Sequence, residues 1–439
     1  MTHRFNFLLL LLLSFQAVES QNNFEQLDNY FDTIQKYQKA MGTVALAKDG
    51  KITYMRSFGF TDLENKSQDN DSTEYRIGSI SKTFTAVLIL KTVDKNKLTI
   101  DQTIDKWFPS IPNAKLITVS DLLYHRSGIH NFTDDSTYLE WNTKPKSESE
   151  LLSLIEKGGS DFDPGTKMAY SNSNYVLLSI LLEKINQKTY EQLLNEEIIQ
   201  PLQLQRTYYG KKINPANNES YSYTFNGQGF EKSTETDMSI PRGAGAIVST
   251  PTDLIKFINA LFKGQLLTQK TFELMTTPKD NFGMGLFKVP FGNKTGWGHT
   301  GGIDGFRSVF SYFPSDSISY ALCTNGAAIN PNDISIAVLS AANGLEVKLP
   351  DFSSAFLSPE QLVKYTGTYV SKDLPLKITV SVKEGNLIAQ ATGQSSFILT
   401  AKGEDKFVFD AAGLTMEFRP AANEMTLIQG GKTFAFKKE

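Results

Sequence analysis

The sequence predicts an α+β fold: an antiparallel sheet flanked by helices with a helical subdomain, followed by a C-terminal all-β, barrel-like domain. Three observations carry this. A hairpin pattern around Asp49-Gly50 stands near the start, helical periodicities fill the middle, and strand-like runs return after Gly243. Hairpin first, helices between and antiparallel strands last is an α+β order, in which the first hairpin can join the last strands in one sheet. From Lys364 to Lys438 the texture changes to about eight short runs of β-forming residues separated by turn residues, the spacing of a small barrel or sandwich.

Taken in order, residues 1–20 read as a signal peptide. His3-Arg4 precedes an apolar run from Phe5 to Leu13, and Ala17-Val18-Glu19-Ser20 offers a cleavage site after Ser20. The run is too short for a transmembrane helix, which needs roughly 20 residues. The mature chain is therefore expected to be secreted or periplasmic, with no membrane span. Residues 21–345 form the main domain, 346–359 a linker carrying Pro350 and several Ser, and 360–439 the β-rich domain. In the main domain, Phe24, Leu27, Phe31 and Ile34 predict an amphipathic helix. A helix is expected from Asp121 to a stop at Gly128, another after the capping box Ser147–Glu150, and a third over Tyr175–Ile185. Lys211–Ser239 is polar, Asn-rich and weakly periodic, and reads as a surface excursion. Thr250 caps a helix with Pro251 at its first position. Strands are expected over Phe282–Val289, Trp297–Thr300, Gly305–Phe313 and Ser317–Thr324, and a helix over Asp333–Ala342.

Composition removes several function classes. The net charge is -3 with no basic block, which excludes a nucleic-acid surface of the usual kind. Cys323 is the single cysteine, so no internal disulfide forms. The four His residues form no His-Glu-x-x-His pattern, so the reading assigns no metal and no cofactor. Gly-x-Ser-x-Gly is absent, which argues against an α/β-hydrolase nucleophile elbow.

Ser79-Ile80-Ser81-Lys82 heads the apolar run ending Ala86-Val87-Leu88-Ile89-Leu90. On a helix the i and i+3 side chains share a face, so an amine stands beside the Ser79 hydroxyl and can assist its deprotonation. Ser79 is the candidate covalent nucleophile. Tyr170-Ser171-Asn172 follows a Pro-Gly loop, and His299-Thr300-Gly301-Gly302 lies on a late strand.

These three elements, in this order, resemble the serine β-lactamase and penicillin-binding superfamily, in particular the branch of class C β-lactamases, D-alanyl-D-alanine carboxypeptidases and related esterases. Asp121-Leu122-Leu123 with Ser127-Gly128-Ile129, and Gly245 through Leu254, add to the likeness, which spans Tyr30 to Ala342. The β-rich tail resembles the lipocalin-like domain some of these hydrolases carry. The resemblance implies a β-lactamase-like catalytic domain in which Ser79, Lys82 and Tyr170 are catalytic. It implies an oxyanion hole made by the backbone N–H groups of Ser79 and Gly302, with Asn172, His299, Thr300 and Gly301 at the substrate. Either Lys82 or Tyr170 can take the Ser79 proton; the reading favours Tyr170 as base, with Lys82 as its electrostatic partner. Class C enzymes usually carry Lys where this chain has His299, which points away from efficient β-lactam hydrolysis. It leaves the anchor for a substrate carboxylate open: Arg242 and Arg307 are candidates, with a plain surface role the favoured reading of each, while His125 and His130 read as structural. The expected activity is acyl-enzyme cleavage of a small amide or short peptide containing a D-amino acid. Alternatives are an esterase or weak β-lactamase of the same superfamily and, behind these, a catalytically silent binding protein.

Overall fold

The computed structural model describes residues 24–439. The signal peptide read at residues 1–20 lies outside them. No helix among the described residues is long and apolar enough to cross a membrane.

Helix α1, over residues 24–36, leads into strands β1 (Ala40–Lys48) and β2 (Lys51–Phe58). Asp49 and Gly50 between them have φ of 54° and 81°, the pair of positive values that a two-residue hairpin turn requires. Helices α2 (Ser81–Asp94), α3 (Asn172–Asn186) and α4 (Pro251–Phe262) follow. Then come β3 (Phe287–Phe291), β4 (Lys294–Ile303), β5 (Phe306–Phe313) and β6 (Ile318–Ala327), and helix α5 (Pro331–Ala342). The sheet order is β3-β4-β5-β6-β1-β2, every pair antiparallel. The first hairpin does join the late strands, β1 pairing with β6 in the register Val44↔Leu322.

The period of two in a strand sorts β1 between two cores. Val44 and Leu46 pack with Phe31 of α1 and Val338 of α5, while Ala45 and Ala47 share the opposite core with Phe84 of α2 and Phe257 of α4. Helix α2 is buried along almost its whole length, which explains why its sequence is apolar on most faces. Phe84 stacks on Phe257 with ring centroids 3.7 Å apart, and truncating either to Ala would cost about 3–5 kcal/mol.

Three expectations shift. The helix read from Asp121 runs instead over Val119–Leu123, because Thr118 caps it with Asp121 in a capping box and His125 turns left-handed at φ 56°. The strand read over Phe282–Val289 begins only at Phe287. Thr83 Oγ1 donates to the Gly285 carbonyl at 2.6 Å, and a Cβ at Gly285 would stand 2.8 Å from the Lys82 carbonyl, so this turn is held against α2 rather than in the sheet. The stretch read as a surface excursion contains a hairpin, Tyr223–Phe225 with Phe230–Lys232, that backs the functional site.

The tail is a closed barrel of strands β7 to β14, from Gly367–Val370 to Lys432–Lys438, sealed by Tyr369↔Lys438 and Val370↔Lys437. Side chains including Tyr369, Phe407, Met416 and Phe436 fill its interior, so it is a packed core rather than a ligand cup. It touches the main body where the Asn330 N–H donates to the Asp410 carbonyl at 3.0 Å and where Ile398 lies against Gly227.

Candidate active site

Ser79 sits on the single 3-10 turn Gly78–Ile80 that feeds directly into α2. Gly78 has φ +51°, and a Cβ there would stand 2.8 Å from the Gly302 nitrogen. Only glycine lets β4 approach the Ser79 turn this closely. Gly301 serves the same approach: a Cβ on it would meet the Ile77 carbonyl oxygen at 1.9 Å, and Ser308 Oγ donates to that same oxygen at 2.7 Å. Strand β3 pairs β4 only as far as Gly298, so the edge of β4 from Thr300 to Gly302 has no strand on that side.

Lys82, at 0% exposure, projects its amine to three oxygens. Nζ is 3.0 Å from Ser79 Oγ, 2.7 Å from Asn172 Oδ1 and 2.8 Å from the Ala244 carbonyl. Burial pushes its pKa well below the ordinary lysine value, since no carboxylate is paired with it to hold the charge. Two of the three oxygens can only accept. A neutral amine satisfies both with its N–H bonds and turns its lone pair to the third, the hydroxyl of Ser79.

Asn172 opens α3, and a relay fixes its amide. Its Nδ2 donates to Thr133 Oγ1 at 2.9 Å and its backbone N–H to Asn131 Oδ1 at 2.8 Å. Thr133 Oγ1 donates onward to Asn131 Oδ1 at 3.1 Å, and Asn131 Nδ2 donates to Asp134 at 2.8 Å. With Thr133 committed as acceptor, Asn172 Oδ1 is the atom left to face Lys82.

The Tyr170 ring lies 4.8 Å from Lys82 Nζ and is 37% exposed. Desolvation raises its phenol pKa, and contact with Ser79 opposes the rise only in part. On its other side, the ring stacks on His125 with centroids 4.4 Å apart. His125 Nδ1 accepts the Ser171 N–H at 3.1 Å, and burial, then Lys82, holds its pKa well below the usual imidazole range.

Of the positions singled out in the sequence, the structure brings Ser79, Lys82, Tyr170, Asn172 and Gly302 together. Ser79, Asn172 and Gly302 line a pocket of about 540 Å³ whose further walls include Phe132, Tyr138, Thr236 and Arg307. His299, Thr300 and Gly301 line a different groove, with Phe287, Val309 and Ile336. The His299 ring is buried beside Phe287, its Nδ1 2.6 Å from the Thr300 carbonyl, so Nδ1 carries the proton. Desolvation and then Lys82 lower its pKa to about 3, leaving it neutral. Arg242 is paired with Glu183 and stands outside the pocket. Sequence reasoning missed His125 as the platform under Tyr170, Thr133 and Asn131 as the orienters of Asn172, and Ala244 as an acceptor for Lys82. His125 and Asn131 each stand two residues from Ser127-Gly128-Ile129, and Ala244 directly precedes the Gly245–Leu254 stretch, so those motifs stood near them without marking their roles. Among the described residues no group of three His, Cys, Asp or Glu side chains converges to hold a metal ion.

Most of the chain is similar in sequence and fold to known proteins. The family model described as Beta-lactamase matches residues 27–344. The teichoic acid D-alanine hydrolase of Staphylococcus aureus is 27% identical over 296 residues, 65% of this chain and 70% of that one. The D-amino acid amidase of Ochrobactrum anthropi SV3, solved with L-phenylalanine amide, is similar with a TM-score of 0.67 at 27% identity, covering 73% of this chain and 99% of that one. The octameric penicillin-binding protein homologue of Pyrococcus abyssi has a TM-score of 0.65 at 23% identity and covers 94% of this chain and 100% of that one, a likeness of fold.

Proposed function

We propose, from the premise that this chain belongs to the Beta-lactamase family of serine hydrolases, that it cleaves small amides or short peptides containing a D-amino acid through an acyl-enzyme on Ser79. The observation that carries the reading is the buried, carboxylate-free Lys82 amine 3.0 Å from Ser79 Oγ at the floor of an open pocket. Neutral Lys82 takes the Ser79 proton as Oγ forms its bond to the substrate carbonyl carbon. The carbonyl oxygen becomes an oxyanion facing the N–H groups of Ser79 and Gly302, each worth about 10²–10³ in rate. As the C–N bond breaks, its electrons stay on nitrogen, and Tyr170, whose phenol keeps its proton, donates that proton to the leaving amine. Lys82 returns a proton to Tyr170, and water then attacks the acyl-enzyme by the same route, with Lys82 again as base.

This proposal departs from the base assignment favoured from sequence. Tyr170 could serve as base only beside a persistent cation, and burial disfavours the charged form of Lys82 while it raises the Tyr170 phenol pKa, which supports the amine as base. The D-amino-acid preference draws support from the D-alanine hydrolase and D-amino acid amidase among the similar proteins. Export is proposed on the N-terminal sequence alone, and N-terminal sequencing of the mature protein tests it, a start at Gln21 being expected.

The activity test is labelling with a fluorophosphonate, followed by turnover of D- and L-aminoacyl p-nitroanilides beside p-nitrophenyl esters. Wild type is expected to label and to cleave the D-anilides, and Ser79→Ala to do neither. Equal labelling of both proteins would remove Ser79 as nucleophile. Ester turnover without any D-anilide cleavage would put the esterase reading first.

A further inference from the structure

We propose that Arg76 is a positioning residue: its buried ion pair with Asp304 sets the spacing between the Ser79 turn and the end of β4, and so aligns the two N–H groups that face the oxyanion. The inference rests on the serine-hydrolase reading and deepens it. Arg76 lies three positions before Ser79, on a short strand, Tyr75–Arg76, that pairs with Val248 and Ser249. Asp304 lies two positions after Gly302, in the turn between β4 and β5. Both side chains are 2% exposed. Arg76 uses every terminal N–H of its guanidinium. One terminal nitrogen donates to Asp304 Oδ2 at 3.2 Å and to the Thr236 carbonyl at 2.9 Å. The other donates to the Lys211 carbonyl and to Glu235, each at 2.9 Å. Asp304 Oδ1 accepts in turn from Thr236, from its Oγ1 at 2.6 Å and its N–H at 3.1 Å. The pair neutralises the Asp304 carboxylate and joins three segments: the strand before Ser79, the pocket wall at Thr236 and the turn after Gly302.

The end of β4 has need of such a strut. Strand β3 pairs β4 only as far as Gly298, so near its end β4 is held by β5 on one side and, at the turn, by the Arg76–Asp304 pair. Asp304 also has φ 51°, a left-handed conformation that is costly for a residue with a Cβ. The contact it guards has no slack. A Cβ at Gly78 would stand 2.8 Å from the Gly302 nitrogen, and one at Gly301 1.9 Å from the Ile77 carbonyl oxygen. If the strut is lost, the Gly302 N–H can drift from the Ser79 turn. A displaced donor weakens the oxyanion more than the uncharged substrate, so the loss falls on kcat rather than KM.

Three variants of the full chain test this with p-nitrophenyl acetate and with phenylboronic acid, whose boron accepts the Ser79 oxygen and becomes a tetrahedral anion. Arg76→Gln combined with Asp304→Asn removes both charges, leaving neither of this pair buried without its partner. Its kcat is expected to fall about tenfold to hundredfold with little change in KM, and its boronate affinity to fall by the same factor. Arg76→Lys should recover part of both, since one ammonium cannot reach in the two directions of the fork. Asp304→Asn leaves Arg76 its pair with Glu235 and decides the matter if the other two melt below the assay temperature. Folded variants with the wild-type kcat overturn the strut. So does a fall in kcat with unchanged boronate affinity, which marks fewer active molecules rather than a misaligned donor. Either result leaves the hydrolase reading standing where wild-type turnover is lost in Ser79→Ala. Wild type that neither cleaves the ester nor binds the boronate through Ser79 overturns both.

Discussion

The imidazole of His125 lies face to face with the ring of Tyr170, centroids 4.4 Å apart and planes inclined by 28°. The same imidazole accepts the Ser171 N–H, so one side chain fixes both the ring and the backbone that follows it. Replacing His125 by Ala removes the platform and leaves a buried N–H without a partner, at a cost of about 1–3 kcal/mol. His125→Phe retains the platform but not the acceptor. We expect kcat to fall by about 10²-fold in His125→Ala, since displacements near 1 Å cost that much, and by less in His125→Phe. Thermal melts of both variants separate loss of stability from loss of turnover. Equal kcat losses would show that the stacking does not position Tyr170.

Lys82 sets the acid limb of the pH profile. A base acts in its neutral form, so kcat/KM should rise with pH as Lys82 loses its proton. Burial lowers that pKa well below the ordinary lysine value, which moves the acid limb to lower pH than an exposed lysine would give. Lys82→Arg places a permanent cation that cannot deprotonate, and should lose at least about 10²-fold. A profile that climbs only above pH 10 would contradict the neutral amine.

The raised Tyr170 phenol makes a separate prediction. If Tyr170 acts as a proton donor to the leaving group, Tyr170→Phe should impair anilides and amides far more than p-nitrophenyl esters. A nitrophenolate leaves without protonation, whereas an amine does not. Matched losses on the two substrate classes would return Tyr170 to the role of base.

Which parts of this were legible in the sequence follows from physics. Short-range patterns announced themselves: the Asp49-Gly50 turn, the Thr250 cap before Pro251, and the unbroken apolar face of α2 each depend on neighbouring residues. Ser79 and Lys82 were legible because one helical turn joins them. Asn131, Thr133 and Ala244 were not, because their link to Lys82 is made by chain segments 49 to 162 residues away that only the folded sheet and α3 bring together. The pKa order of Lys82 and Tyr170 was hidden for the same reason, since desolvation belongs to the site rather than to the residue. Likewise, the pairing that silences Asp304 spans 228 positions, from Arg76.

Thr133 tests whether amide orientation matters. In Thr133→Val the Asn172 Nδ2 loses its acceptor, and the amide can turn that NH2 toward Lys82. Two donors would then face each other, and Lys82 would lose the acceptor that holds its lone pair toward Ser79. A fall in kcat of about tenfold or more is expected, with recovery in Thr133→Ser, which keeps the hydroxyl. A Thr133→Ser variant as slow as Thr133→Val would indicate that the methyl group, through packing, is what counts.

His130 joins this loop to its surroundings through charge. Its Nε2 lies 3.1 Å from Asp135 and its Nδ1 3.0 Å from Asp161, while its carbonyl accepts from Ser173 Oγ at 2.6 Å. Partial burial pulls its pKa down, but the two carboxylates outweigh that and raise it above the ordinary histidine value of 6.5. A group whose pKa is higher in the folded state binds its proton more tightly there. Its contribution is therefore complete below the unfolded pKa and disappears as pH rises through the folded one. Wild type should lose stability relative to His130→Gln on going from about pH 6 to about pH 8.5, and the Tm difference between the two should shrink over that window. Because His130 is adjacent to Asn131, kcat should fall in the same direction once its charge is gone. Melting curves at a series of pH values decide it: a Tm difference that stays constant from pH 5 to pH 9 would mean that the charge contributes nothing.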